Sequence, residues 1–358
     1  MKFIHISDIH LGATPDSDLP WGEQRGKEIW DSFRDMIRIC NEEKADLLLI
    51  AGDLFHRQPL VRELKEVNYI LSKLETAKAL IIAGNHDYIG VRSNYQGFEW
   101  DEKVHLFTSS TLECKEYEEL GVEVYGLSFC TKDIYEALYD EAFHERNDCI
   151  HILLAHGGDE RNIPINRKKL KELDYDYVAL GHIHKPEIIT DRMAYCGSLE
   201  PLDKNEVGDR GYLLGEITTG EDGLRATRVT FVSHAVRTYK RCVLSVNPQD
   251  TNGSLLDQAR NIMKDQGLQH IYSFIIQGIR DELIRFDKGS IKDLGNVIEV
   301  TDQSVPDYDF DALYFENQDN LIGMFIRRVR EKANQDEVAR KALYYGIEAL
   351  LCAKKGGR

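Results

Sequence analysis

The chain has 358 residues, with 45 Lys and Arg against 61 Asp and Glu, and a net charge of −16 at pH 7. At 42% hydrophobic and 30% charged residues it has a globular composition, which excludes disordered and fibrous classes. An acidic balance of this size also opposes non-specific attraction to nucleic acid, because phosphate repulsion is the first-order effect. A domain of roughly 150 residues is typical, so two or three domains are expected, with enough chain to bury a core without disulfide staples. The longest apolar runs, such as Leu47–Ala51, fall far short of the ~20 residues of a membrane span. The start, Met1–Ile6, passes straight into a polar motif instead of a signal-peptide core. The seven cysteines are scattered and include no Cys-x-x-Cys pair. The expectation is a cytoplasmic protein with free, mostly buried thiols and no membrane partner.

In chain order, Lys2–Ile6 reads as a strand and Glu28–Glu43 as a helix, with Ile29, Phe33, Met36, Ile37 and Cys40 on one stripe. Strands follow at Leu47–Ile50 and Ala79–Ala83, separated by a helix over Leu60–Leu74, and again at Ile150–Ala155 and Tyr177–Leu180. Runs that are apolar on both faces fit strands buried between layers, and the alternation defines an α/β sandwich. Past residue 195 the pattern becomes β-like, with Tyr212–Ile217 and Arg225–Val232 around a turn. From Thr238 a strand (Lys240–Val246), a helix (Ser254–Asp265), a strand (Tyr272–Ile279) and a strand near Val297–Val300 form a small α+β unit. Asp307–Phe310 reads as a linker, and Asn320–Lys354 as two amphipathic helices split near Asn334. The expected boundaries are 1–234, 235–312 and 313–358.

The strands of the first part each end in side chains that ligate metals. They are Ser7-Asp8-Ile9-His10, Gly52-Asp53-Leu54-Phe55-His56, Gly84-Asn85-His86-Asp87, Ala155-His156-Gly157 and Gly181-His182-Ile183-His184. In α/β folds ligands gather at the carboxyl ends of strands, so the five clusters are expected to converge on one rim. Asp-x-His and His-x-His place both side chains on one side of an extended segment. The glycines before Asp53, Asn85 and His182 permit sharp turns and close approach. Two divalent cations need a bridging carboxylate and several ligands each. Imidazole with carboxylate suits manganese, iron or zinc better than magnesium alone.

In this order the motifs resemble the calcineurin-like metallophosphoesterase superfamily over roughly residues 1 to 235, and no ligand position departs from its pattern. The resemblance implies a four-layer α-β-β-α sandwich. It implies one ion held by Asp8, His10, Asp53 and His184, and a second held by Asp53, Asn85, His156 and His182. His86 would be the non-ligand catalytic histidine that protonates the leaving oxygen. Ser7–Gly12 and Gly52–His56 are further similar to the SbcD/Mre11-type DNA-repair nucleases, in form to their shorter YhaO-like members. In that group the position of His56 is associated with placing the DNA end, the α+β unit stands where a capping domain does, and the C-terminal helices dock on an SMC-like, SbcC-type ATPase. The expected function is therefore a manganese-dependent DNA exo/endonuclease subunit, a homodimer working with that ATPase. A small-nucleotide phosphodiesterase and a metal-bound scaffold remain open on the motifs alone. For local positive surface, Arg57 and Arg92 directly follow metal motifs and are the expected substrate contacts, whereas Arg167–Lys169 reads as a solvated helix face.

Overall fold

The computed structural model describes residues 1–144, 148–333 and 336–356. It divides into two compact units, Met1–Tyr239 and Lys240–Arg358. In the first unit the elements are β1 (Lys2–Ile6), α1 (Gly22–Glu43), β2 (Leu47–Ala51), α2 (Val61–Leu71), β3 (Lys78–Ile82), β4 (Val104–Leu106), β5 (Glu113–Tyr117), β6 (Val122–Gly126), β7 (Ile150–His156), α3 (Arg167–Glu172), β8 (Tyr177–Gly181), β9 (Glu187–Thr190), β10 (Met193–Tyr195), β11 (Gly211–Thr219) and β12 (Arg225–Ser233).

Two six-stranded sheets result, ordered β12-β11-β1-β2-β3-β4 and β5-β6-β7-β8-β10-β9. Strands β1 to β4 run parallel, as do β6, β7, β8 and β10, while β11 joins β1 antiparallel. Period-two alternation divides each central strand between two cores. Phe3, Leu47, Leu49, Leu80 and Ile82 meet Val122, Val124, Ile152 and Leu154 between the sheets. Ile4, Ile6, Leu48, Ile50 and Ile81 turn outward to Ile29, Phe33 and Met36 of α1 and Leu64 and Val67 of α2. On the far face, Leu153, Ala155, Val178 and Leu180 pack under Tyr139, Leu170 and Tyr175. These are the four layers of an α-β-β-α sandwich.

Helix α1 starts at Gly22, six residues before the expected start at Glu28, although Gly22 and Gly26 are poor helix formers. Tertiary contact overrides propensity there. Arg25, fully buried, bonds Glu28 at 2.7 Å and the Pro201 carbonyl at 2.6 Å, and the turn is held from outside.

The second unit contains β13 (Tyr239–Val246, whose first residue closes the first unit), α4 (Asn252–Gln266), β14 (Ile271–Arg280), α5 (Lys288–Lys292), β15 (Val297–Asp302), β16 (Val305–Pro306), α6 (Phe310–Glu316), α7 (Leu321–Ala333) and α8 (Glu337–Gly356). One core joins α4 to its sheet through Leu255, Ala259, Phe274 and Ile276, and another joins α7 to α8 through Ile322, Ile326, Leu343 and Ile347. The segment expected as a linker is mostly ordered. Pro306 pairs with Arg280, and Asp309 caps α6 through the amides of Asp311 and Ala312. The expected break near Asn334 lies outside the described residues.

Two stability results are expected. Phe33→Ala, which empties a fully buried ring site under the first sheet, should cost about 3–5 kcal/mol in urea unfolding. His5 is fully buried between the sheets, 2.9 Å from the Tyr177 hydroxyl, and burial lowers its pKa to about 3. The unfolded chain takes up this proton near 6.5 and the folded chain does not, so stability falls as pH drops between the two values, by about 1.4 kcal/mol per pH unit. His5→Gln removes that contribution, and the stability gap between wild type and variant should narrow with acidity over the same window.

Candidate metal centre

The loops that leave β1 and β2 run on side by side beyond the parallel pair. The amides of Asp8, His10 and Leu11 donate to the carbonyls of Gly52, Asp53 and Leu54 at 3.1, 3.0 and 2.9 Å. This ladder forces unusual backbone on the functional residues. Asp8, His10 and Asp53 lie at φ 50, 51 and 50°, and His182 at 94°, in a region that costs a non-glycine residue of order 1–3 kcal/mol. Strain kept at four such positions marks a site whose geometry the rest of the fold over-determines. Three glycines are required by proximity: a Cβ at Gly84 would collide with Asp53 Oδ1 and His156 Nε2, one at Gly52 with the His156 ring, and one at Gly181 with the Ala51 carbonyl.

The structure brings Asp8, His10, Asp53, Asn85, His156, His182 and His184 onto one rim. Donor atoms of Asp8, His10 and His184 lie within 4.8 Å of one another, as do those of Asp8, Asp53 and His156, and those of His10, His56 and His86. The second of these groups draws on both ligand sets that the resemblance implied, which puts the two sets in direct contact. Asp53 is central: its Oδ2 is 3.4 Å from His156 Nε2 and 3.8 Å from His10 Nε2, and its Oδ1 accepts the His86 amide at 2.9 Å.

The imidazoles are oriented from outside. His156 Nδ1 bonds the Ala51 carbonyl at 2.9 Å, His182 Nε2 bonds Asp159 at 2.8 Å, and His184 Nδ1 bonds Glu206 at 2.6 Å. A proton on each outer nitrogen leaves the inner one with its lone pair turned inward. Those inner nitrogens face other acceptors: His156 Nε2 and His182 Nδ1 each stand 3.1 Å from Asn85 Oδ1, and His184 Nε2 stands 3.1 Å from His10 Nε2. Such contacts are favourable only with a proton or a cation between the two atoms. Burial opposes charge on His156, yet the adjoining Asp53 carboxylate raises its pKa to about 9. His184 is raised despite burial by Glu206 and Asp8, while burial and the neighbouring imidazoles hold His10 low in spite of Asp53. An inward-facing set of imidazole, carboxylate and carboxamide donors fits divalent cations.

His86 and His56 stand beside this set. His86 Nδ1 bonds the His56 carbonyl at 3.0 Å, its ring centroid is 4.7 Å from that of His10, and it stacks on His56 at 5.3 Å. Arg57 is exposed and bonds Glu63 at 2.7 Å. Arg92 is exposed with no ion pair among the described residues. Three further carboxylates support the rim: Asp87, which closes the Gly84–Asp87 motif, and Asp159 and Glu206, which no motif in the sequence singles out. Asp159 and Glu206 orient imidazoles as above. Fully buried Asp87 ties the loops together by accepting from the amides of Gly84 and Phe55 and from the Tyr95 hydroxyl at 2.8, 3.1 and 2.8 Å. Burial, reinforced by Asp53, raises Asp87 to about 6.

A sandwich that carries such a rim at its strand ends is a metal-dependent phosphoesterase. The chain belongs to the calcineurin-like phosphoesterase family, whose model matches residues 1–186. It is similar to the uncharacterized metallophosphoesterase YhaO of Bacillus subtilis, at 31% identity over 242 residues, 62% of this chain and 58% of that protein. It is also similar to the DNA double-strand break repair protein Mre11 of Methanocaldococcus jannaschii, at 31% over 223 residues, 58% of this chain and 59% of that protein. A third relative is the SbcD subunit of the nuclease SbcCD of Staphylococcus epidermidis, at 29% over 259 residues, 62% of this chain and 67% of that protein. The chain thus spans less than two thirds of the length of the first two. No helix among the described residues is long and apolar enough to cross a membrane.

Glu206→Gln tests the outer support of the rim. Losing the carboxylate that orients His184 should weaken divalent-ion affinity about 10–100-fold, read from the manganese dependence of bis-p-nitrophenyl phosphate turnover. The rate at saturating ion should change far less.

Proposed function

We propose that the chain is a two-metal phosphodiesterase acting on DNA, a nuclease subunit that works as a homodimer with an SMC-type ATPase of the SbcC kind. The observation that carries this reading is the inward-facing donor set with His86 fixed at its margin. The likeness to an SbcD protein and to an Mre11 protein favours DNA over a small ester. In this reading Asp8, His10, Asp53 and His184 hold one ion and Asp53, Asn85, His156 and His182 the other, with Asp53 shared. Two divalent ions held there would supply charge neutralisation for the phosphate and an acidified water for attack near neutral pH. Manganese is the ion we assign, on the mixed nitrogen and oxygen donors.

His86 supplies the proton. Its Nδ1 is committed to the His56 carbonyl, so a proton held at Nε2 is the one delivered to the leaving oxygen. Its amide bond to Asp53 fixes this acid to the ligand that both ion sites share. His56, stacked on His86, extends the imidazole surface to where a nucleotide would lie, and exposed Arg92, six residues beyond His86, offers a cation. Arg57, held by Glu63, reaches DNA only by exchanging that partner. With −16 net charge the chain alone binds DNA weakly and in a salt-sensitive way, and affinity comes from a second copy and the ATPase. We assign residues 235–312 as the accessory domain and 313–358 as the region that docks on the ATPase.

The test is to incubate the full chain with labelled single- and double-stranded DNA, and separately with a mononucleotide diester, in the presence of Mn²⁺. DNA cleavage that a chelator abolishes, and that His86→Ala slows by about 10²–10⁴-fold, is the expected result. Turnover of the small diester with DNA left intact would overturn the nuclease reading. An unchanged rate in His86→Ala would overturn the role of that histidine.

A further inference from the structure

A second group of ligating side chains lies on the outer face of the second sheet, at the opposite end of β7 from His156. Glu116 of β5 and Glu123 of β6 stand directly opposite each other in the antiparallel register, and Cys149 immediately precedes β7. Donor atoms of these three residues all lie within 4.8 Å of one another. His151, two residues beyond Cys149, is in register with Glu123 on the neighbouring strand. Its side chain is only 4% exposed, and its Nε2 stands 3.5 Å from Glu123 Oε2 without a hydrogen-bond partner. Five residues of extended chain separate His151 from His156, on the order of 17 Å, so the group is not part of the rim.

The His151 Nε2 atom is buried without a hydrogen-bond partner, which is costly for the protein alone. Tyr125 donates a hydrogen bond to Glu123 at 2.6 Å, and that carboxylate stands opposite Glu116. Burial, and then the His144 ring stacked at 3.9 Å, keep His151 below the usual imidazole range and therefore neutral, the form that ligates. One thiol, one imidazole and two carboxylates from three adjacent strands form a mixed sulfur, nitrogen and oxygen set, which suits zinc among the common divalent ions.

We propose that Glu116, Glu123, Cys149 and His151 form a second metal site, for a divalent cation of the zinc class, separate from the rim. Binding releases the Cys149 thiol proton to solvent and forms a cation–thiolate bond, with no oxidation or reduction. Glu116 is exposed and opens the site to solvent, while His151 closes its buried side. The bound ion clamps edge strand β5 and the start of β7 to β6.

Cobalt(II) titration of the full chain tests this, because only a cysteine ligand gives near-ultraviolet sulfur-to-cobalt charge transfer, and no cysteine is in the rim's donor set. The expected result is a band whose plateau intensity corresponds to one cobalt–thiolate bond per chain and which is lost in Cys149→Ser, weakens about tenfold or more in affinity in Glu116→Gln, and persists in the rim variant Asp53→Asn. Bis-p-nitrophenyl phosphate turnover in Cys149→Ser should match wild type. Absence of the band from wild type, or its survival in Cys149→Ser, would overturn the site. So would unaltered affinity in both Glu116→Gln and Glu123→Gln. The exposed Glu116 variant keeps the test decisive if Cys149→Ser does not fold.

Discussion

Lone pairs turned toward one another are the constraint around which the first unit is organised. His156, His182 and His184 are each held by one ring nitrogen from outside, through Ala51, Asp159 and Glu206, so that the other nitrogen faces the rim. Without those anchors the rings would rotate to relieve the contacts with Asn85 and His10. Orientation is therefore prepared before any ion arrives, and binding energy is not consumed in reorganising the ligands. The parallel strands serve the same end, because their hydrogen-bond ladder continues into the loops and aligns Asp8 and His10 against Gly52 and Asp53.

The backbone bears the cost. Four of the proposed ligands sit at positive φ without being glycine, and the glycines at 52 and 84 vacate the space that Asp53 and His156 fill. Strain of this size persists only on a rigid base, and the two cores on either face of β1, β2 and β3 provide one. Asp87, which accepts from Gly84 and Tyr95 on its own loop, joins that loop to the second through the Phe55 amide, so that Asn85, His86 and Asp53 behave as one piece.

The central strands were legible in the sequence because burial on both faces leaves continuous apolar runs, and the ligand clusters were legible because Asp, Asn and His at the ends of such runs have no packing reason to be there. Other elements left no such mark. Strand β5, Glu113–Tyr117, is polar at a sheet edge and reads as a loop. Strand β4 has three residues and β9 is largely exposed, too little for a period to show. The first turn of α1 follows from Arg25 and its partners, which no local pattern announces. Asp159 and Glu206 are single acids in loops; only the folded chain shows that each meets a histidine, 23 and 22 residues away. The nearest signal in the sequence was the position of Asp159 just beyond the Ala155-His156-Gly157 segment.

The position of β1 has a consequence for how the protein is made. Strand β1 lies inside its sheet, between β2 and β11, and β11 is more than two hundred residues later in the chain. Ser7 likewise bridges to Ser198, and Asp8 accepts the amide of His182. During synthesis the first three loops can form early, but the rim cannot close until residues 182 to 219 have emerged. Contacts of such long sequence separation are slow to form, and the half-built sheet exposes one flank of β1 in the meantime. The reactive centre is thus completed only late in the synthesis of its unit, and a truncated chain lacking β11 carries the motifs without the site.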